Sequence, residues 1–327
     1  VSQPNGSAID KTDLNDTNKK LAIVDMLDQE CGFYNDEGVL QEIARTTTSV
    51  QNLTVRTATV DQNNAAVRID VTKTGGSESF YYMTWVQATK ALSAESDKKD
   101  QFGSWESVKI VLLKDVKARG VAKEWSVEAD VPRNITLCSA GQNTYTLTGV
   151  LGNNVLLDVT GLGNSMVNLT LENIKLDGGC IKAAKTNLTL NEGASVSSAP
   201  EAGNSTIRMD GGELVMNNAW VSTASEDSYA AYLNDCTLRM SDSGKDLTSL
   251  KSAYIGNKTV TMVIDANSAG SAGGNKVPAF SGDADGELKI FYTGVNARFT
   301  SALQNYKGKS ELWYRITLMD GATLGDG

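Results

Sequence analysis

No histidine occurs anywhere in the 327 residues. That absence removes the commonest general base at neutral pH, the imidazole zinc ligand, and every Ser-His or Cys-His nucleophilic pair. Cysteine is scarce as well: Cys31, Cys138, Cys180 and Cys236 form no CxxC and fit neither a zinc site nor the dense framework of a small secreted domain. A single disulfide is left open, with no pairing specified. Long apolar runs are missing, the longest clean aliphatic stretch being Ile110-Val-Leu-Leu113, against the roughly 20 residues that a membrane-spanning helix needs. Basic residues number 30 against 39 acidic ones, for a formal charge of −9, and they cluster only as doublets such as Lys19-Lys20 and Lys98-Lys99. A nucleic acid or an anionic membrane surface requires a cationic field, so both partners are disfavoured. No charged segment followed by an apolar one opens the chain, and an export signal is expected to have been removed or to lie outside this sequence. With 4 Pro, 30 Gly and 40% hydrophobic residues, what remains is an ordered, β-rich composition.

One four-residue pattern keeps returning: polar, aliphatic, polar, aliphatic. It reads Asn134-Ile-Thr-Leu137, Asn168-Leu-Thr-Leu171, Asn187-Leu-Thr-Leu190, Thr206-Ile-Arg-Met209, Thr237-Leu-Arg-Met240 and Thr259-Val-Thr-Met262. A period of two marks half-buried strands. The steps between copies are 34, 19, 19, 31 and 22 residues, with turns such as Asp177-Gly-Gly179, Asn191-Glu-Gly193 and Asp210-Gly-Gly212 between them. A unit near 20 residues cannot bury its apolar side alone, but stacked coils merge those sides into one column. The pairs Ile135/Leu137, Leu169/Leu171, Leu188/Leu190, Ile207/Met209, Leu238/Met240 and Val260/Met262 are expected in one vertical file. The two long steps call for inserted loops or degenerate coils, with Val155-Leu-Leu-Asp-Val159 and Glu213-Leu-Val-Met216 as candidates. An antiparallel sandwich would show hairpin turns every 8–12 residues and no constant motif, so the repeat favours a parallel β-helix. Eight Asn-x-Ser/Thr sequons occur, and those at Asn134, Asn168 and Asn187 are the strand motif itself, which explains them without glycosylation. Cys236, in phase with Leu238 and Met240, reads as a small buried apolar residue.

Before the repeats, residues 1–80 read as a small α+β lead-in module. A helix is expected over Asp13 to Glu30, a shorter one over Glu37 to Arg45, and strands over Ser49–Val60 and Ala65–Thr72, joined by the turn Asp61–Asn64. The segment Tyr82–Leu92 then places Trp85, Ala88 and Leu92 on one helical face, and Val108-Lys-Ile-Val-Leu-Leu-Lys-Asp-Val116 reads as a strand buried on both sides. From the helix followed by Ile110-Val-Leu-Leu-Lys-Asp-Val116, the chain resembles the pectin-lyase-like right-handed β-helix proteins of bacterial cell surfaces, over roughly Thr84 to Ile290. The resemblance implies a mainly β fold: a right-handed parallel β-helix over 81–327, with a short capping helix on its first coil and a C-terminal closing segment. It also implies an extracellular or cell-surface location. The motifs behind it are architectural rather than catalytic.

If the aliphatics point inward, the alternate residues form two outward ladders: Asn134, Asn168, Asn187, Thr206, Thr237, Thr259 and Thr136, Thr170, Thr189, Arg208, Arg239, Thr261. Solvated, stacked sheet is the ordinary explanation. The functional one is a binding face built on Thr170, Thr189, Arg208 and Arg239, the arginines acting as neighbouring forked donors for carboxylate or sulfate. An ice-matching threonine array is set aside because the coils are irregular and two positions carry Arg. Asp283, Asp285 and Glu287 alternate like part of a calcium loop, yet lack the third early ligand and the closing Glu, so a solvated acidic turn is favoured over a metal site. Six of the 21 aromatics fall between Phe291 and Tyr314; plugging the last coil is favoured over a sugar-stacking platform. The resemblance makes calcium-dependent polysaccharide lysis the enzymatic alternative, because lyases on this fold typically use clustered carboxylates and an Arg or Lys base. Hydrolases on it usually add a histidine, which this chain does not have. A phage tailspike-like fibre is the other alternative. The expectation is a non-catalytic surface or secreted protein without a required cofactor, adhesin-like toward a glycan or a host or neighbouring-cell protein, or structural through self-assembly.

Overall fold

In a computed structural model, residues 31–34, 40–41, 54–57, 60–92, 107–118, 122–129, 133–149, 154–242, 250–266, 278–293 and 302–314 are described. Two compact units divide the chain, Val1–Asp61 and Gln62–Gly327. In the first, β1 (Cys31–Tyr34) lies between β2 (Leu40–Gln41) and β3 (Thr54–Thr57), antiparallel to both. The helix expected over Glu37–Arg45 is therefore corrected, since Leu40 and Gln41 pair with Tyr34 and Phe33. A short amphipathic stretch has weak intrinsic preference, and strand pairing overrides it. The helix expected over Asp13–Glu30 lies outside the described residues.

The second unit opens with β4 (Val67–Lys73) and β5 (Gly76–Tyr82), an antiparallel pair turned through Gly75 and Gly76. The strands expected over Ser49–Val60 and Ala65–Thr72 do not form a joined pair: β3 pairs with β1, while β4 adds to the solenoid sheet. Next comes α1 (Trp85–Leu92), whose start is set by a reciprocal cap. The Gln87 amide N–H donates to Thr84 Oγ1 at 3.2 Å, and the Thr84 N–H donates to Gln87 Oε1 at 3.1 Å. Trp85, Ala88 and Leu92 are buried, as the helical spacing predicts, and Trp85 meets Trp125 edge to face at 6.2 Å between ring centres. β6 (Ser107–Leu112) follows, antiparallel to β4. Lys109 in it is exposed, so β6 is not covered along both sides.

From β6 the chain winds through three faces in turn. β7 (Val116–Lys117) and β8 (Lys123–Ala129) complete the first coil, and β9 (Arg133–Ser139), β10 (Tyr145–Thr148) and β11 (Val155–Gly161) make the second. The third is β12 (Val167–Glu172), β13 (Ile174–Asp177) and the first half of β14 (Cys180–Leu190), which turns a corner into the fourth. β15 (Ser195–Ser198), β16 (Ser205–Asn217), β17 (Trp220–Thr223), β18 (Tyr229–Asp242) and β19 (Ser252–Ile255) carry the pattern on, β16 and β18 again spanning two faces. β20 (Thr259–Ala266), β21 (Ala279–Gly282), β22 (Glu287–Thr293) and β23 (Lys309–Tyr314) extend two of the faces. The result is a β-solenoid of about six turns, with parallel pairing from β6 onward.

Each face sends its own file of side chains into the interior. The first holds Ile135/Leu137, Leu169/Leu171, Leu188/Leu190, Leu214/Met216, Leu238/Met240 and Met262/Ile264, all buried. The second holds Val116, Leu147, Leu176, Val196, Val221 and Leu250. The third holds Trp125, Leu157, Ile181, Ile207, Ala231, Ala253 and Phe280. Two expected registers are corrected here. Leu188 stacks on Leu214, while Ile207 belongs to the third face; and Leu238 stacks on Met262 rather than Val260. Both stretches named as degenerate coils are strands, Val155–Val159 on the third face and Glu213–Met216 on the first. Alternation reports which side a residue faces, not which of three faces carries it. The discriminating feature is the corner inside β16, where Gly211 and Gly212 take φ of 85° and 87°. A Cβ on Gly212 would stand 2.1 Å from the Thr186 carbonyl oxygen.

Candidate functional site

Because the interior takes every second residue, the first face presents two continuous outward ladders. One carries Asn134, Asn168 and Asn187, then Glu213, Thr237 and Thr261. Its asparagines are tied together by amide hydrogen bonds, Asn168 Nδ2 donating to Asn134 Oδ1 at 2.8 Å and Asn187 Nδ2 to Asn168 Oδ1 at 2.9 Å. The sequon asparagines therefore have a structural task. The other ladder runs Lys109, Thr136, Thr170, Thr189, Val215, Arg239, Val263, Phe291, Trp313.

Thr170, Thr189 and Arg239 thus share one line, and Arg208 does not. Arg239 is held by Glu213 at 3.1 Å. Arg208 stands on the third face, where it donates to Asp210 Oδ2 at 2.8 Å and lies 4.2 Å over the Tyr232 ring. The two arginines are not neighbouring donors, because the register places them on different faces. Around Arg208, Tyr232 stacks on Tyr254 with centres 5.7 Å apart, and the Tyr254 hydroxyl donates to Asp283 at 2.6 Å. That bond, with desolvation adding to it, pushes the Tyr254 phenol up to about 12. Asn234 Nδ2 reaches Asp210 at 3.2 Å. Arg208 Nε, Asp210, Asn234, Tyr254 and Asp283 thus each have a partner within the cluster.

The acidic turn behaves in the same way. Asp283 accepts from Tyr254, while Glu287 accepts from Thr259 Oγ1 at 2.7 Å and sits 3.5 Å from Lys289. The Thr259 bond, with Lys289 adding to it, draws the Glu287 carboxyl below its ordinary value. Asp285 is exposed. Among the described residues, no three His, Cys, Asp or Glu side chains converge in a way that could hold a metal ion. Cys138, Cys180 and Cys236 are buried thiols outside any disulfide, which agrees with the apolar role read for Cys236.

The aromatic end of the first-face ladder is the largest departure from expectation. Tyr306 packs against the core, in keeping with a plug, but Phe291 and Trp313 point outward and stand 40% and 54% exposed. Their rings are stacked, 6.1 Å apart and 13° from parallel. The signal was present in the sequence: Phe291 follows Ile290 and Trp313 follows Leu312, and if the aliphatics turn inward the aromatics turn outward.

No family model matches the chain, and neither a characterised protein nor a solved structure shows significant similarity to it.

Proposed function

We propose that this β-solenoid is a non-catalytic binding protein that engages a glycan or a protein along the outward face of its first sheet. The reading is carried by one observation: the line Thr136, Thr170, Thr189, Val215, Arg239, Val263 ends in two stacked, exposed aromatics, Phe291 and Trp313. An apolar anchor beside a long polar strip suits recognition by many weak contacts plus one well-desolvated contact. Arg208 and Arg239 each facing a single carboxylate also favours binding over calcium-dependent lysis, which needs clustered carboxylates beside a free cationic base. The resemblance to bacterial surface proteins implies that this work is done outside the cell.

The test is binding to arrays of glycans and extracellular-matrix proteins. Trp313→Ala and Phe291→Ala should each lower retention at least tenfold, while Trp220→Ala, which removes an exposed tryptophan from another face, should leave it unchanged. Equal loss in all three variants, or none in any, would overturn the assignment of this face.

A further inference from the structure

We propose that copies of this chain join end to end, the outer edge of β23 on one copy pairing with the outer edge of β5 on the next. These two strands terminate the continuous path of strands in the main sheet, and among the described residues neither carries a further strand on its outer side. A free edge is a template for another chain.

The directions agree. β5 is antiparallel to β4, and β4 is antiparallel to β6, so β5 points the same way as β6. β6 begins the parallel series that ends at β23. A second copy displaced along the stacking direction therefore presents its β5 to β23 in the same parallel sense that successive coils use.

The faces agree as well. Leu312 pairs with Ile290 and so occupies an interior-file position, yet it is 37% exposed, unlike the fully buried Ile290. On β5, Phe80 lies opposite Ile69 and is partly buried against the core. Joining the two edges sets Leu312 toward Phe80 and carries the first interior file from one copy into the next. Neither strand contains proline, and their only charges are Glu78 on β5 and Lys309 and Glu311 on β23. The devices that usually guard an edge are sparse at both ends. Since the two surfaces differ and nothing closes the series, the product is an open filament rather than a two-fold dimer.

End-to-end joining does not depend on the lateral binding proposed above, because it uses inward Leu312 rather than outward Trp313. Sedimentation velocity and negative-stain microscopy of the full chain at rising concentration should show linear filaments. Leu312→Lys, and separately Ser77→Lys with Glu78→Lys, should each hold the protein monomeric with an unaltered circular dichroism spectrum, all three sites being exposed. An equimolar mixture of the two variants should give a dimer and nothing larger, since each supplies the intact edge that the other lacks. The proposal is overturned by a wild-type chain that stays monomeric at every concentration. It is equally overturned by filaments that survive either set of changes, or by a mixture of folded variants that stays monomeric.

Discussion

The side-chain amide of Asn168 donates to Oδ1 of Asn134 one coil away, at 2.8 Å, while its own oxygen accepts from Asn187 at 2.9 Å. Asn168 is thus the middle of a three-amide ladder running along the stacking direction, and its removal breaks two bonds where removal of Asn134 breaks one of the ladder bonds. At about 1 kcal/mol net for each bond, Asn168→Ala should lower unfolding stability by about 2 kcal/mol, and Asn134→Ala by roughly half of that. Urea denaturation reads the difference. Equal midpoints for both variants would mean that the ladder does not stabilise the stack.

The corner at Gly212 makes a sharper prediction. Its φ of 87° already disfavours an L side chain, and a Cβ there would sit 2.1 Å from the Thr186 carbonyl oxygen, so backbone must move. Gly203 has a similar φ, 77°, but open space around it. Gly203→Ala should cost about 1 kcal/mol, the ordinary left-handed strain. Gly212→Ala should cost several times more, enough to reduce soluble expression. Thermal unfolding of the two variants side by side separates strain from collision, and similar midpoints would contradict the corner geometry.

These two sites also mark what sequence could and could not reveal. Leu169 over Leu188 was legible because two short coils carry the same Asn-Leu-Thr-Leu phrase on the same face. Ile207 lands on a different face than its motif suggests because β16 carries two alternating segments, Thr206–Met209 and Glu213–Met216, one on each side of Gly211-Gly212, and period-two alternation is identical on all three faces. The same register separates Arg208, which lies beside Lys182 and Tyr232, from Arg239, which lies beside Val215. The outward setting of Phe291 and Trp313 follows from alternation alone, since each comes directly after an interior-file aliphatic, Ile290 or Leu312. The antiparallel addition of β4 and β5 to the first coil has no local signature, since which strand an edge accepts is decided by long-range contacts.

Thiol reactivity tests the interior files directly. Burial pushes the Cys236 thiol up to about 12 and the Cys138 thiol up to about 11, and it raises Cys180 as well. The thiolate is the reactive form, so in a Cys31→Ser background none of the three should be labelled by a disulfide-exchange reagent at pH 8 while the chain is folded. All three should react once denaturant unfolds it. Rapid labelling of Cys236 under native conditions would mean that the corner between the third and first faces is open.

The tyrosines of the third face predict how the fold responds to alkali. Tyr254 donates to Asp283, and the folded chain keeps this phenol neutral up to about 12, whereas an unfolded tyrosine ionises near 10. The neutral form is the one the fold favours, so the contribution is complete below about pH 10 and drains away as the pH climbs toward 12. Tyr254→Phe deletes the hydrogen bond and the titration together. The variant should be less stable than wild type at pH 8, and the gap should narrow between pH 10 and 12, because in that window only the wild type's unfolded chain gains a tyrosinate at position 254, which favours unfolding. Tyr306, raised to about 12 mainly by burial, ionises in the same window in both proteins and so cancels in the comparison. Chemical denaturation at half-unit steps of pH gives the two curves. A gap that stays constant to pH 12 would show that the Tyr254 hydroxyl does not depend on Asp283, and the polar cluster around Arg208 would lose one of its members.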